Sequence, residues 1–399
     1  VDSSAPTPVS HVRVRADEPR GHVGWVASTD RLSVSWDHAD DPHTNVTYRW
    51  ALGTVIAGQQ VVPWTATGTE LFASATGLDL LPGTRYYVSV EAQNGAGHRV
   101  IGTTTVVVDT IPPVAGIVVD GANLLHHQVA TSVTTALNCS WGAFSDSVSG
   151  ISEAHVGFGS VQGAADVVPF TVVNASDGHF GSGGLALSHG VRYFCTVVMF
   201  DFAGLSSEQS SIGTIVDTTP PEVGFVMESD TGRWATSMAA DSDTVWIGDG
   251  SQLHALFPGW GDPESGITHV EVGAGTAPGL ADVSYWRHVP SHRTHVALDT
   301  DSVGGSVLEE LWNGGKVFVT VRMSNAAGLM SQASSDGAFV LRKHSLGDTL
   351  NVHAAVAHIP AHYLRSDWSG CGDAATGGAL FVPSSGACSC PPNRILDAA

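Results

Sequence analysis

The residues of this 399-residue chain that could do chemistry are histidines, carboxylates and a few cysteines. Of 19 histidines, His353, His358 and His362 gather towards the C-terminal end, and His126 and His127 are adjacent. A zinc site needs three or four ligands in close array, often at the His-x3-His interval that His358 and His362 keep. Pro360 lies between them and removes the helix on which that interval relies, so these histidines read as polar surface and no metal site is expected. Carboxylates cluster at Asp37–Asp41, Asp241–Asp249 and Asp299–Asp301. Calcium takes several oxygen ligands from one loop, but none of these turns keeps an EF-hand spacing. The pair Glu309–Glu310 sits in SVLEELW, which reads as one solvated helical turn. No nucleophile signature, phosphate-binding glycine loop, dinucleotide fingerprint or HExxH helix occurs. The chain is therefore expected to be no enzyme and to need no cofactor, with calcium at loop or inter-domain Asp residues as the alternative.

What could position any of these groups is a large set of short strands. Residues are 43% hydrophobic, enough to give a core to each of three or four units of about 100 residues. Val, Thr and Ser recur throughout, 46 glycines supply turns and few stretches look helical, which points to an all-β chain. Leu32, Val34 and Trp36 alternate with Ser33 and Ser35, while Tyr86, Val88 and Val90 alternate with Tyr87, Ser89 and Glu91. Period two marks half-buried antiparallel strands, one face in a core and the other in water. The net charge of −21 repels nucleic-acid phosphates and anionic lipid, and suits a soluble surface. No run of about 18 apolar residues occurs, so no membrane insertion is expected. Lacking an initiator Met and a signal peptide, the chain reads as a mature form or a piece of a longer protein.

One phrase returns: VDSSAP at Val1, VDTIPP at Val108 and VDTTPP at Val216. The spacings are 107 and 108 residues, and a third unit runs to about Val340. Inside the units, RLSVSWDHADD, ALNCSWGAFSD and LHALFPGWGDP align without gaps. This superposes Trp36, Trp141 and Phe257, and likewise Asp41, Asp146 and Asp262, which fall in turns where Asp caps backbone N–H groups. Each unit closes on a related run: RYYVSVEAQNGAG, RYFCTVVMFDFAG or KVFVTVRMSNAAG. At the boundaries, Asp217 and the threonines are expected to make turn bonds. Pro220 and Pro221, like Pro112 and Pro113, then hold the backbone extended and stop the sheet. The next strand is expected at once, at Val223-Gly-Phe225, which leaves little slack. VDSSAP at residues 1–6 reads as the end of a preceding repeat.

These units resemble fibronectin type III domains. The resemblance rests on the Trp of the second strand, on Tyr48-x-Trp50 in the third, and on LLPGTRYYVSVEAQNGAG from Leu80 to Gly97. It covers roughly residues 5–342 and implies three tandem two-layer antiparallel β-sandwiches of fibronectin type III/immunoglobulin-like kind. The first spans 7–109, the second 110–217 and the third 218–342 with an insertion near 233–250; an irregular Cys-containing tail fills 343–399. Tyr86 and Tyr193 take the tyrosine-corner place, which Val317 leaves unfilled in the third unit. Cys139 holds the inward slot of Val34 and Ala255, and Cys195 that of Val88 and Val319. The resemblance puts those slots on facing strands and so implies a Cys139–Cys195 disulfide, worth roughly 3–4 kcal/mol by loop closure. With the sequons at Asn45, Asn138 and Asn174 this implies an extracellular, secreted chain carrying covalent glycans. Asn138, next to an inward Cys, should face solvent. Cys371, Cys388 and Cys390 weakly resemble the edge of a Cys-rich, epidermal-growth-factor-like module. Three cannot all pair, so the third is expected to find a partner beyond Ala399, in another chain, or to stay a thiol.

Two classes of function follow. One is a non-enzymatic structural component of an extracellular fibre or cell-surface rod, its partners other copies of itself or neighbouring fibre proteins. The composition, poor in Lys and rich in Ala, Gly and Val, resembles protist or green-algal surface proteins, including mastigoneme-type subunits. Such a source implies hydroxylated and glycosylated prolines at Pro112, Pro113, Pro220 and Pro221. The alternative is an adhesion or receptor ectodomain, or an accessory binding region of a larger secreted protein. It would recognise glycan or protein through sandwich loops, with Trp64, Trp246, Trp286 and Trp312 to consider as anchors.

Overall fold

The structure, a computed structural model, describes residues 2–229, 246–248, 253–298 and 315–341. The insertion outside 246–248, the acidic turn at 299–301, Trp312, Glu309–Glu310 and the tail with His353, His358, His362, Cys371, Cys388 and Cys390 lie outside the described residues. The chain divides into two compact units, Val1–Val216 with the first two sandwiches and a second that begins at Asp217.

The first sandwich contains β1 (Arg13–Val14), β2 (Trp25–Val26), β3 (Arg31–Ser35), β4 (Thr47–Gly53), β5 (Val62–Gly68), β6 (Phe72–Thr76), β7 (Arg85–Gln93) and β8 (Arg99–Val108). One sheet has the order β1-β3-β6 and the other β2-β8-β7-β4-β5. The second sandwich contains β9 (Ile117–Asp120), β10 (Ala130–Thr131), β11 (Ala136–Gly142), β12 (Ile151–Gly159), β13 (Val168–Val173), β14 (His179–Gly183), β15 (Arg192–Asp201), β16 (Ser206–Ser210) and β17 (Thr214–Val216). Its sheets run β14-β11-β9 and β10-β17-β15-β12-β13, with β16 also on β15. In the third, β18 (Met227–Ser229), β20 (Leu253–Leu256) and β23 (His295–Leu298) make one sheet. The other joins β19 (Trp246–Gly248), β21 (Ile267–Gly275), β22 (Ser284–Val289), β24 (Lys316–Asn325), β25 (Met330–Ser334) and β26 (Ala338–Leu341). The fold is all-β, as the alternation requires; a single turn of 3-10 helix at Ala175–Asp177 is the only helical element among the described residues.

Pairing is antiparallel except for one short parallel pair per sandwich: β2 with β8, β10 with β17 and β19 with β26. The first strand of each unit is split. Its first half pairs with one sheet and its second half crosses over to the last strand of the other. A break of this kind leaves no periodic trace in the sequence.

Each sandwich has its own core. Leu32, Val34, Trp36, Trp50, Val88 and Val90 centre the first, Trp141, Phe158, Val197 and Met199 the second, and Phe257, Val272, Val319 and Val321 the third. Buried aliphatic side chains of this size contribute about 1.5–3 kcal/mol each. The Tyr86 hydroxyl accepts from Leu81 N at 2.8 Å and that of Tyr193 from Ser188 N at 3.0 Å, forming both expected corners. Val317, 2% exposed, packs in the third core instead.

Ser89 and Glu91, expected in water from the alternation, are buried. The β4–β5 turn folds over the outer face of the sheet, and Ala57 N donates to Ser89 Oγ at 2.9 Å. Thr196 and Thr320 accept equivalent bonds from Gly163 N and Gly279 N. Arg49 closes bidentately on Glu91 at 2.8 and 3.0 Å and stacks over Trp64, while Arg322 covers Trp286. Trp64 and Trp286 are thus capped by guanidinium groups, not presented as bare anchors.

Candidate functional site at the repeat junctions

The returning Val-Asp phrase is where polar side chains from distant parts of each sandwich meet. In each copy the Asp makes the same local turn: Asp2 Oδ1 accepts from Ser4 N, Asp109 Oδ1 from Ile111 N and Asp217 Oδ1 from Thr219 N, at 3.0–3.1 Å. The prolines that follow then play unlike parts. Pro113 and Pro221 are buried, as is Pro6 at the same repeat position, whereas Pro112 and Pro220 are exposed. The next strands begin at Ile117 and Met227, so the expectation of a strand at Val223–Phe225 is corrected. Val223 and Phe225 are exposed, and this stretch is held by the bridge of Glu222 to Gly261 and by Phe225 N donating to Pro258 O at 2.9 Å. The approach at Gly224 leaves no room for a side chain, since a Cβ there would lie 2.3 Å from Pro258 O.

The turn aspartates supply the second component. Asp41 Oδ1 accepts from His43 N and Thr44 N, and Asp262 Oδ1 from Ser265 N and Gly266 N. Asp146 Oδ1 accepts from Val148 N, Ser149 N and Gly150 N at 2.7–3.0 Å. This is the backbone-capping role that their turn positions implied. Asp41 and Asp262 leave Oδ2 to face the junction.

The third component was not anticipated. It is the residue at or just past the end of the long strand β7, β15 or β24: Asn94, Asp201 or Asn325. In the first sandwich Asn94 Nδ2 donates to Asp2 Oδ2 at 2.8 Å, Asp41 Oδ2 at 2.9 Å and Ser4 O at 2.9 Å. In the third, Asn325 Nδ2 donates to Asp217 Oδ2 at 2.8 Å, Asp262 Oδ2 at 3.1 Å and Thr219 O at 2.9 Å. One amide thus reconciles two carboxylates, and its hydrogen bond, ahead of a smaller opposing desolvation, brings the Asp41 carboxyl down to about 2. The second sandwich departs from this plan. Asp201 Oδ1 accepts from Leu205 N at 2.9 Å, as Asn325 Oδ1 does from Leu329 N. Its other oxygen therefore stands where the amide nitrogen stands elsewhere, and it cannot donate. Asp109, Asp146 and Asp201 bring carboxylate oxygens within 4.8 Å of one another, with Asp109 and Asp201 fully buried. Burial, reinforced by the charges of Asp109 and Asp146, pushes the Asp201 carboxyl up to about 6.

The gapless repeat alignment contained this signal, since NGAG, DFAG and NAAG superpose Asn94, Asp201 and Asn325. Nothing in one sequence said that the position faces Asp residues of two other segments.

Cys139 and Cys195 are joined, with Cα atoms 6.2 Å apart, across the second sandwich. Asn45, Asn138 and Asn174 are all exposed. Asn138 lies opposite Gly181 on β14, which puts no side chain beside it, and Asn174 Oδ1 accepts from Ser176 N of its own sequon. No helix among the described residues is long and apolar enough to cross a membrane.

Sheets, corners and disulfide together define a tandem β-sandwich protein of fibronectin type III/immunoglobulin-like architecture. The chain matches no described protein family and no curated protein. Among solved structures it is similar to chicken CNTN1 FN1–FN3 domains, at 14% identity and a TM-score of 0.30, covering 85% of this chain and 99% of that one. It is also similar to domains of titin, at 11% identity and a TM-score of 0.33, covering 85% and 100%. A bacterial ice-binding adhesin matches at 15% identity and a TM-score of 0.33, covering 85% and 99%.

Proposed function

We propose that this chain is a non-enzymatic structural segment of an extracellular fibre or cell-surface rod, built from tandem sandwiches and partnered by copies of itself or neighbouring fibre proteins. The observation that carries the reading is the join between the first two sandwiches. Asp109 follows directly on β8, and its N–H donates to Val26 O at 2.9 Å in the first sandwich. Its carboxylate accepts from Ser149 N at 3.0 Å in the second. One residue is thus bonded to both sides, and no free linker intervenes.

A second contact supports a restricted angle. The segment that crosses between β1 and β2 lies over the turn after β15. His22 N donates to Phe202 O at 2.9 Å, and Arg20 Nη1 donates to Glu153 Oε1 at 2.9 Å. Gly21 fits only because it lacks a side chain, since a Cβ there would come within 2.9 Å of Ala203 O. The disulfide and the exposed sequons support secretion and covalent glycans. Exposed Pro112 and Pro220 are the junction prolines open to hydroxylation, and Pro113 and Pro221 are shielded.

Electron microscopy of the native material under near-native conditions tests this reading. Filaments or rods of regular repeat are expected, and dispersed flexible monomers would overturn it. Tight binding of a purified fragment to a glycan or a cell surface would move the assignment to an adhesion or receptor ectodomain.

A further inference from the structure

We propose that Asp109, Asp146 and Asp201 form a calcium site at the junction of the first two sandwiches, the cation taking the place that the Asn94 and Asn325 amides occupy at the other two. The inference is independent of whether the protein forms fibres. It starts from an electrostatic imbalance. Two junctions set one amide donor between two carboxylates, whereas the middle one sets a third carboxylate there.

The acidic cluster alone would not carry this. The second observation is Asp201 itself: its side chain is 0% exposed and its Oδ2 has no hydrogen-bond partner. The neighbouring oxygens make the need for positive charge greater. Asp109 uses its carboxylate to accept from Ile111 N and Ser149 N, and Asp146 Oδ1 is fully engaged by three backbone amides. None of these bonds offers anything to Asp201 Oδ2. A buried, unpartnered carboxylate oxygen facing two further carboxylates is among the costliest arrangements a fold can hold without a counter-charge.

The donor set selects the ion. All three groups offer hard oxygen, with no imidazole or thiolate among them, which suits calcium or magnesium and not zinc or copper. Calcium–oxygen distances of about 2.3–2.6 Å place ligands on opposite sides of the ion roughly 4.6–5.2 Å apart. The three oxygens, all within 4.8 Å of one another, fit that span. The Ile111 carbonyl stands at the repeat position of Ser4 O and Thr219 O, which accept from the Asn amides in the other copies, and is a further oxygen of the same kind. Magnesium demands a tighter octahedron and retains its water, so calcium is the better match. The ion would bind Asp109 of the linking phrase to Asp146 and Asp201 of the second sandwich and so stiffen the join.

The test compares thermal unfolding of the full chain, stripped with EDTA, in the absence and presence of millimolar calcium chloride. Calcium at about a hundredfold over its dissociation constant is expected to raise the midpoint of the unit holding the first two sandwiches by roughly 5–10 °C. Asp201→Asn restores the amide of the other junctions. It should melt higher than the unsubstituted chain in EDTA and show no calcium shift in that unit. Asn94→Asp supplies the converse, creating a second acidic triplet with Asp2 and Asp41 and adding one calcium-binding event by calorimetry. Acidic turns outside the described residues are present in every variant and cancel in these differences. An unchanged midpoint of the unsubstituted chain with calcium, or an equal calcium response in Asp201→Asn, would overturn the proposal. Should Asp201→Asn fail to fold, the Asn94→Asp binding count decides alone: one added event supports the site, and none overturns it.

Discussion

The amide nitrogen of Asn94 donates to Asp2 Oδ2 across 2.8 Å, joining residues 92 apart in the chain. The same nitrogen serves Asp41 and the Ser4 carbonyl, so a single side chain 3% exposed holds the start of the chain against the body of the first sandwich. Asn94→Ala leaves two carboxylates facing each other without a donor. It is expected to cost the first sandwich about 2–3 kcal/mol, measured by denaturant unfolding. Asn325→Ala should do the same to the third, where the bonds repeat.

The Cys139–Cys195 bridge closes a sequence separation of 56 residues. Loop-closure entropy for that length is worth about 4 kcal/mol. Replacing both by Val, as the first sandwich has at Val34 and Val88, is expected to lower the stability of the second sandwich by roughly that amount while keeping its fold. Circular dichroism checks the fold, and reduction of the unsubstituted chain should give the same loss in denaturant midpoint.

Asp120 gives a pH dependence whose sign is fixed by its surroundings. Burial raises its carboxyl above the usual 3.8, against smaller opposing effects from the Ser211 hydroxyl and the facing His127. A raised acid is stabilising while protonated. The contribution of Asp120 to the second sandwich should therefore be fully present below the unfolded carboxylate pKa and be lost as pH rises through the folded value. Asp120→Asn should reduce the slope of this sign, leaving the part that Asp201 supplies. Denaturant midpoints taken across the acidic range would show it, and an unchanged slope would remove Asp120 as its source.

Arg20 and Glu153 link the first sandwich to the second, with Arg20 also over the Phe200 ring at 5.1 Å. Because the Arg20 side chain is 45% exposed, Arg20→Ala is expected to cost under about 1 kcal/mol of stability. Its effect should appear in orientation: residual dipolar couplings of the two sandwiches should fit one alignment tensor before the substitution and two after it.

The strands and their inward faces were legible because alternation at period two is local. Leu32, Val34, Tyr86 and Val88 could be assigned from five or six neighbours each. The outer faces were not, since Ser89 and Glu91 are buried by a turn that folds back over them, and period two says nothing of what lies above a sheet. The strand expected at Val223–Phe225 failed for a related reason. Its letters favour β structure, but it meets the Pro258–Gly261 loop through an isolated bridge and a single bond from Phe225 N to Pro258 O, not through a ladder.

By itself the sequence determined the repeat period and which positions face inward, because repetition and side-chain period encode these position by position; that Cys139 and Cys195 meet came from the resemblance to a known sandwich, which places their slots on facing strands. The sequence also determined the turn role of Asp41, Asp146 and Asp262, whose partners are their own near neighbours. Only the tertiary structure decided that Asp109, Asp146 and Asp201 share one buried space. These residues lie on three segments with no common period, and their proximity arises from closing two sheets over a core. The charge that collects there is a property of the closed sandwich, set by electrostatics at distances the linear chain does not contain.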